Sequence, residues 1–306
     1  MILRRRERRS TPPTPFCSDE NVPMKLTLAE PRGFCSGVNR AINILEDVVR
    51  NEKERAYVYH EIVHNAWVVR DFQRRGVVFV ESLDDVPDGA LLLFSAHGVS
   101  PQIRAEAAAR GIRAIDATCP LVHRIHQQVR DYADAGYRII FIGKRGHDEV
   151  VGTLGEAPDA TTLVSSLDEI ASLPDFPPTQ RMTYLTQTTL SVSQAAKIVD
   201  ALRERYPQLE DPNVEGICYA TQQRQDVVRR LAPQHDLTIV VGSVNSSNSK
   251  RLADVSREVG VPAYLVDGVE DLPWHALKPD SAVLITAGAS APESVFQTCV
   301  HFLRDV

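Results

Sequence analysis

The sequence predicts an α/β protein of three lobes, each built on a mainly parallel sheet and related to the others by pseudo-threefold symmetry. Three observations carry that reading. Short β-rich runs alternate with amphipathic helical stretches along almost the whole chain, the pattern of parallel strands joined by crossovers. Five of those runs, LLLFSAHGVS, IIFIGKRGHDE, TYLTQTTLS, TIVVGSVNSSNS and VLITAGASAP, pass directly into small, polar, glycine- or serine-rich segments. In open parallel sheets the crevice beyond the carboxyl ends of the strands is where ligands sit, so five such ends imply a pocket with several walls. Finally, Cys35, Cys119 and Cys218 fall in separate thirds of similar size, each in a short polar segment beside a β-rich run: PRGFCSGVNRA, AIDATCPLV and EGICYATQQR.

Taken in order, the chain opens with a basic and then proline-rich stretch that cannot bury enough apolar surface to order itself, so residues 1–24 read as a disordered tail. An upstream start codon explains it better than an organellar presequence, with Met24 as the structural start. Cys17 lies in this tail and is set aside. LTLA is the first strand, and Val38, Ala41, Ile42, Leu45, Val48 and Val49 then share one face of a helix. YVYH ends at His60, and EIVHNAW puts His64 at a helix entrance. VVFV, LLLF, RAID and RIIFIG are the next strands, the last leading through RGHDE to a short helix near Glu149. PDFPPTQ (174–180) is a long surface loop before TYLT, and YPQLEDPN (206–213) marks a boundary. LTIVVG feeds a helix expected to begin near Lys250, AYLV and AVLIT follow, and a last helix has Pro292 near its first turn. Within it, SVFQTCVHFL puts Cys299 on the core face as a packing residue. The expected division is lobe 1 over 37–119, lobe 2 over 120–214, and lobe 3 from 25–36 together with 215–306.

Composition narrows the function. The chain has 306 residues, 43% hydrophobic and 24% charged, too long for one core and ordinary for a soluble protein. No apolar run is long enough to span a bilayer, and a net charge of -6 argues against a broad footprint for nucleic acid, so neither membrane nor nucleic acid is an expected partner. Five cysteines, an odd number, without a secretory signal fit a reducing cytoplasm with free thiols.

No two of the three segment cysteines form a close pair. If they act together they converge from distinct lobes, which suits a catalytic metal centre better than a structural clip. The alternative is burial as small hydrophobes. Ser246, Ser247, Asn248 and Ser249 supply more donors than one helix cap needs and read as an anion pocket, with a plain cap as the alternative. Ser290 repeats the theme, and two donor-rich helix starts suit a diphosphate. His64, His97 and His147 occupy strand-end turns or a helix entrance. Each alone is an ordinary hydrogen-bonding residue; together, protonated, they combine charge with direction toward an anion. His60 reads equally as a supporting or a surface residue. Glu149 is a general acid if it lines a dry pocket and otherwise a helix-start carboxylate. Thr188, beside Gln187 and Thr189, positions a hydroxyl or passes a proton, or is simply a cap. Nucleotide-binding loops and H-E-x-x-H are absent from the sequence.

PRGFCSGV, EIVHN, FSAHGVS, DATCPLV, GHDEVVGT, TQTTLS, CYAT, NSSNS and TAGASAP, in that order from Met24 to the C-terminus, resemble the LytB family of 4-hydroxy-3-methylbut-2-enyl diphosphate reductases. The departure is Asp148, where that family usually carries proline. The resemblance implies a central 4Fe-4S cluster on Cys35, Cys119 and Cys218 with one iron free of protein ligand. It also implies a diphosphate held by His64, His97, His147, Ser246, Ser247, Asn248 and Ser290, Thr188 at the substrate oxygen, and Glu149 at the head of a proton relay. The products would be isopentenyl and dimethylallyl diphosphates, the electron donor a ferredoxin or flavodoxin, and the protein a cytoplasmic monomer or homodimer. Two rivals stand beside it. A three-cysteine zinc hydrolase would need no electron donor, and an iron-sulfur sensor would need an output surface, such as a basic helix for DNA.

Overall fold

The computed structural model describes residues 24–213 and 216–305; residues 1–23 of the expected tail, with Cys17, lie outside them. The described strands form three four-stranded sheets in which every pairing is parallel. β1 (Lys25–Leu28) belongs to the last of the three. β2 (Ala56–Tyr59), β3 (Val78–Val80), β4 (Leu91–Phe94) and β5 (Arg113–Asp116) form the first, in the order β3-β2-β4-β5. β6 (Arg138–Ile142), β7 (Thr161–Val164), β8 (Met182–Thr186) and β9 (Leu209–Glu210) form the second, β7-β6-β8-β9. β10 (Leu237–Val241), β11 (Ala263–Val266) and β12 (Ala282–Ala287) complete the third, β11-β10-β12-β1. Each sheet thus has the same order, second strand, first, third, then a closing strand; in the third sheet the start of the chain supplies the closing strand.

The helices explain how the lobes are stitched. α1 (Ser36–Asn51) turns Ala41, Leu45 and Val48 onto Val58, Leu91 and Leu93 of the first sheet, although it follows β1 of the third. α2 (Ala66–Arg74) and α3 (Pro101–Ala109) also belong to the first lobe. α4 (Pro120–Asp134) follows β5 of the first sheet but packs Ile125 and Val129 on Ile139, Phe141 and Leu185 of the second. α5 (Asp148–Leu154) and α6 (Val192–Arg205) complete the second lobe. α7 (Tyr219–Leu231), after β9 of the second sheet, packs Val227 and Val228 against Val240, Leu252 and Leu284 of the third. α8 (Ser247–Glu258) and α9 (Glu293–Arg304) flank that sheet. Burial of these apolar stripes is the main force holding the lobes. Cys35, Cys119 and Cys218 immediately precede α1, α4 and α7, so each stands where the chain crosses from one lobe to the next.

Three local details differ from the sequence expectation. β7 begins with two threonines and lies on a sheet edge with only Val164 buried, so its hydrophobic signal is weak. β9 is two residues inside the segment read as a boundary, formed because Leu209 pairs with Met182. α8 starts at Ser247 rather than near Lys250, since Ser246 accepts the Ser249 N–H and caps it. Cys299 is fully buried beside Phe296, Val300 and Leu303, a packing residue. Among the described residues no helix is long and apolar enough to cross a membrane.

Candidate functional site

The three cysteines are the N-caps of α1, α4 and α7, and none makes the side-chain bond that a serine or aspartate would make there. Their thiols are free and half-buried. Each backbone is pinned to a strand-end loop: Cys35 N–H donates to Ala289 O at 3.2 Å, Cys119 N–H to Ala96 O at 3.0 Å and Cys218 N–H to Thr188 O at 2.9 Å. Burial pushes the Cys119 thiol above its ordinary range, the N–H groups of Leu121 and Val122 pull it back, and Cys35 and Cys218 raise it again. The three sulfurs therefore share one electrostatic neighbourhood, each at the N-terminus of a helix. Gly37 keeps this space open, because a Cβ there would lie 2.5 Å from Cys119 Sγ. Three half-buried thiols from three lobes, none of them in a disulfide, form a donor set suited to a soft metal or an iron-sulfur cluster.

Across the same cavity, β10 and β12 deliver the anion-binding candidates. Asn248 accepts the Ala289 N–H through Oδ1 at 2.8 Å, which aims Nδ2 away; that Nδ2 and Ser247 Oγ are buried without a partner among the described residues. Ser290 donates to His64 O at 2.9 Å and touches Ser246 Oγ at 3.3 Å, tying the third lobe to the first. Gly288 follows β12 with no side chain because Ser249 Oγ occupies the place where a Cβ would go. Buried donors without acceptors are costly unless a ligand completes them.

The histidines close the other wall. His64 and His97 stack with ring centroids 3.9 Å apart and planes inclined by 18°, and His147 meets His64 edge-on at 4.9 Å. His147 caps α5 by accepting the Glu149 N–H at Nδ1, 3.2 Å, so its Nε2 carries the proton and is a donor. Burial, with the charges of His64 and Lys144, lowers His147 to about 3. Burial and the neighbouring histidines also hold His97 well below its usual range. These two rings are thus neutral donors until an anion supplies a counter-charge. Asp148 Oδ2 stands 3.8 Å from His64 Nε2 and 3.9 Å from His97 Nδ1. One ligand atom from each of these three residues falls within 4.8 Å of the others. In-plane lone pairs of two stacked rings run side by side instead of converging, so this trio does not form a good metal site.

Glu149, 3% exposed, accepts the Thr188 N–H at Oε1 (2.7 Å) and the Thr188 hydroxyl at Oε2 (3.0 Å). Burial raises its carboxyl to about 7, against the pull of the Thr188 hydrogen bonds and of His64. A carboxyl that titrates near neutrality in a cavity is equipped to give and regain a proton. Gln187 is fully buried and structural: it accepts the Lys144 N–H at 2.9 Å and donates to Thr189 Oγ1 at 3.2 Å.

All twelve candidates, Cys35, His64, His97, Cys119, His147, Glu149, Thr188, Cys218, Ser246, Ser247, Asn248 and Ser290, line one cavity of about 710 Å³ with its mouth included. His60 is elsewhere, with φ 58° and its Nδ1 2.8 Å from Glu81 Oε2. Sequence reasoning missed Thr221, a buried residue of the cavity wall three places after Cys218; that spacing was the available signal. Arg224, buried at 4% exposure on the same helix, was also missed, because nothing separates it in sequence from the less buried Arg229 and Arg230 nearby.

Residues 26–304 match the LytB protein family. A relative from Rhodopirellula baltica, named 4-hydroxy-3-methylbut-2-enyl diphosphate reductase, is 52% identical over 283 residues, 92% of this chain and 88% of its own length. A relative of the same name from Ralstonia nicotianae is 50% identical over 280 residues, 92% of this chain and 86% of its own. The solved structure of the E-1-hydroxy-2-methyl-but-2-enyl-4-diphosphate reductase from Plasmodium falciparum superposes with a TM-score of 0.89 at 43% identity, covering 92% of this chain and 88% of that one. A second, described as the terminal enzyme of the non-mevalonate pathway, gives 0.66 at 28% identity, covering 92% and 100%. Matched along nearly its whole described length in sequence and in three-lobed fold, the chain belongs to the LytB family.

Proposed function

We propose that this chain reduces 4-hydroxy-3-methylbut-2-enyl diphosphate to isopentenyl and dimethylallyl diphosphates, the last step of the non-mevalonate isoprenoid route, with Cys35, Cys119 and Cys218 as ligands of a 4Fe-4S cluster. The observation that carries the reading is that one cavity is lined by three free thiols, by the two unpartnered donors Ser247 Oγ and Asn248 Nδ2, and by a carboxyl that titrates near neutrality. When bound, such a cluster passes single electrons and leaves one iron open as a Lewis acid for a hydroxyl oxygen. Asn248 Nδ2, Ser247 Oγ and His147 Nε2–H donate to the diphosphate, joined by His64, His97, Ser246 and Ser290. Thr188 holds the substrate hydroxyl, and Glu149, bonded to Thr188, delivers the proton that leaves with it as water. The balance is one allylic alcohol, two electrons and two protons in, one water and one alkene diphosphate out. The electrons come from a ferredoxin or flavodoxin, and the enzyme works in the cytoplasm as a monomer or homodimer.

The test is anaerobic turnover of the allylic alcohol diphosphate with a one-electron reductant. Loss of water to give both alkene diphosphates supports the proposal. Release of phosphate without a reductant overturns it in favour of a zinc hydrolase.

A further inference from the structure

Arg224 lies on α7 six residues after Cys218 and is 4% exposed. Its Nη1 donates to Ala220 O at 2.8 Å, and its Nη2 to Gly33 O at 2.7 Å and to Arg32 O at 3.5 Å. Its Nε is buried with no partner, and among the described residues it makes no ion pair with a carboxylate. A guanidinium removed from water normally finds a carboxylate or a phosphate, and neutral carbonyls do not balance its charge. Arg32 shows the contrast nearby: it pairs with both Glu30 and Glu293. Burial lowers the Arg224 guanidinium below its usual range, and the groups favouring its charge are Cys35, then Cys218, then Glu30. Cysteines become thiolates on taking a metal, so the missing anion is supplied when the site is filled.

We propose that Arg224 is the fixed counter-charge of the thiolate-bound centre. It is a positioning residue that ties the loop before Cys35 to the helix of Cys218, and it sets the reduction potential by holding a positive charge beside two of the ligands. The inference rests on the iron-sulfur reading above. An added electron makes the centre more negative, so a nearby cation favours the reduced form. Removing the cation lowers the potential; a lysine keeps the charge but loses the planar fork that grips three carbonyl groups.

The experiment is anaerobic reconstitution of wild type, Arg224→Gln and Arg224→Lys, with iron and sulfide analysis and a midpoint potential from an EPR-monitored redox titration. The expected result is a Gln variant whose equilibrium constant for reduction falls at least about tenfold, about 59 mV for one electron, and a Lys variant restored to within about threefold of wild type. A loaded Gln variant with the wild-type potential overturns the proposal. If Gln does not load, Lys decides: a Lys variant that takes up iron with a near-wild-type potential supports the charge role, and one as poor in iron as Gln overturns it. Wild-type protein that takes up no iron or sulfide refutes the iron-sulfur reading itself, and this inference with it.

Discussion

Glu149 grips Thr188 with both carboxyl oxygens, one on its backbone N–H at 2.7 Å and one on its hydroxyl at 3.0 Å, across the gap between α5 and the end of β8. The pair joins the segment that carries His147 to the segment whose carbonyl holds the Cys218 N–H. Glu149, His147 and the Cys218 backbone are thereby fixed relative to one another.

Glu149→Gln preserves this grip, because the amide oxygen takes the Thr188 N–H and the amide nitrogen donates to the hydroxyl. Turnover is expected to fall about 10²–10⁴-fold. Bound iron and affinity for inorganic pyrophosphate, measured by metal analysis and calorimetry, stay near wild type. Wild-type turnover in this variant would remove Glu149 from the proton path.

The pH dependence follows with a definite sign. Glu149 titrates at about 7 in the fold against an ordinary 4.5. Its donating form is therefore abundant below pH 7, and turnover declines as pH rises through that value. A raised folded pKa also contributes stability that is complete below pH 4.5 and lost by pH 7 and above, about 3 kcal/mol over the range. The melting-temperature difference between Glu149→Gln and wild type is expected to grow from pH 5 to pH 8.

Asn248→Ala removes a buried donor and also frees the Ala289 N–H. Loss of one hydrogen bond to a charged oxygen, about 1.5–3 kcal/mol, predicts pyrophosphate binding weaker by about 10- to 100-fold in calorimetry. Asn248→Asp weakens it further by setting a carboxylate against the anion. Unchanged affinity in both would make this segment a plain helix cap.

Gly37→Ala tests the space around the thiols. The added methyl carbon lies 2.5 Å from Cys119 Sγ, so that sulfur moves or α1 shifts. Iron bound after reconstitution is expected to fall to less than about half of wild type, while circular dichroism shows a folded chain; full loading would mean that the Cys119 sulfur does not need this space.

Much of the site is legible in the sequence because chemistry concentrates at strand ends. The glycine- and serine-rich junctions after β4, β6, β8, β10 and β12 bring their marked residues to the cavity, and the cysteines reveal themselves by polar surroundings. What depends on three-dimensional approach is not legible. The stacking of His64 on His97 joins residues 33 positions apart in the chain, and the burial of Arg224 depends on the loop at Gly33 folding over α7. Edge strands such as β7 escape for another reason, since half-buried threonines carry little hydrophobic signal.

His126 likewise carries no sequence signal that sets it apart. It is fully buried, with its Nδ1 2.7 Å from Glu156 Oε1, and Arg130 and Arg104 complete the cluster, Arg104 reaching from α3 of the first lobe. Burial raises the Glu156 carboxyl, but hydrogen bonds from His126 and Arg130 outweigh it and hold the carboxyl at about 2. A lowered folded pKa contributes stability that is present above pH 4.5 and lost as pH falls through about 2. Glu156→Gln is expected to lower the melting temperature clearly at pH 7, and the gap to wild type should narrow toward pH 2–3. A gap independent of pH would show that the cluster acts by packing alone.

The proposed chemistry depends on the three cysteine sulfurs. Wild type and the single variants Cys35→Ser, Cys119→Ser and Cys218→Ser, reconstituted without oxygen and analysed for iron and acid-labile sulfide alongside reductive turnover, test it most directly. The expected result is brown wild-type protein with about four irons and four sulfides per chain, and loss of most iron and of turnover in each variant. A colourless, iron-free wild type that turns over at full rate, or a Cys218→Ser variant with its full complement of iron, would contradict it.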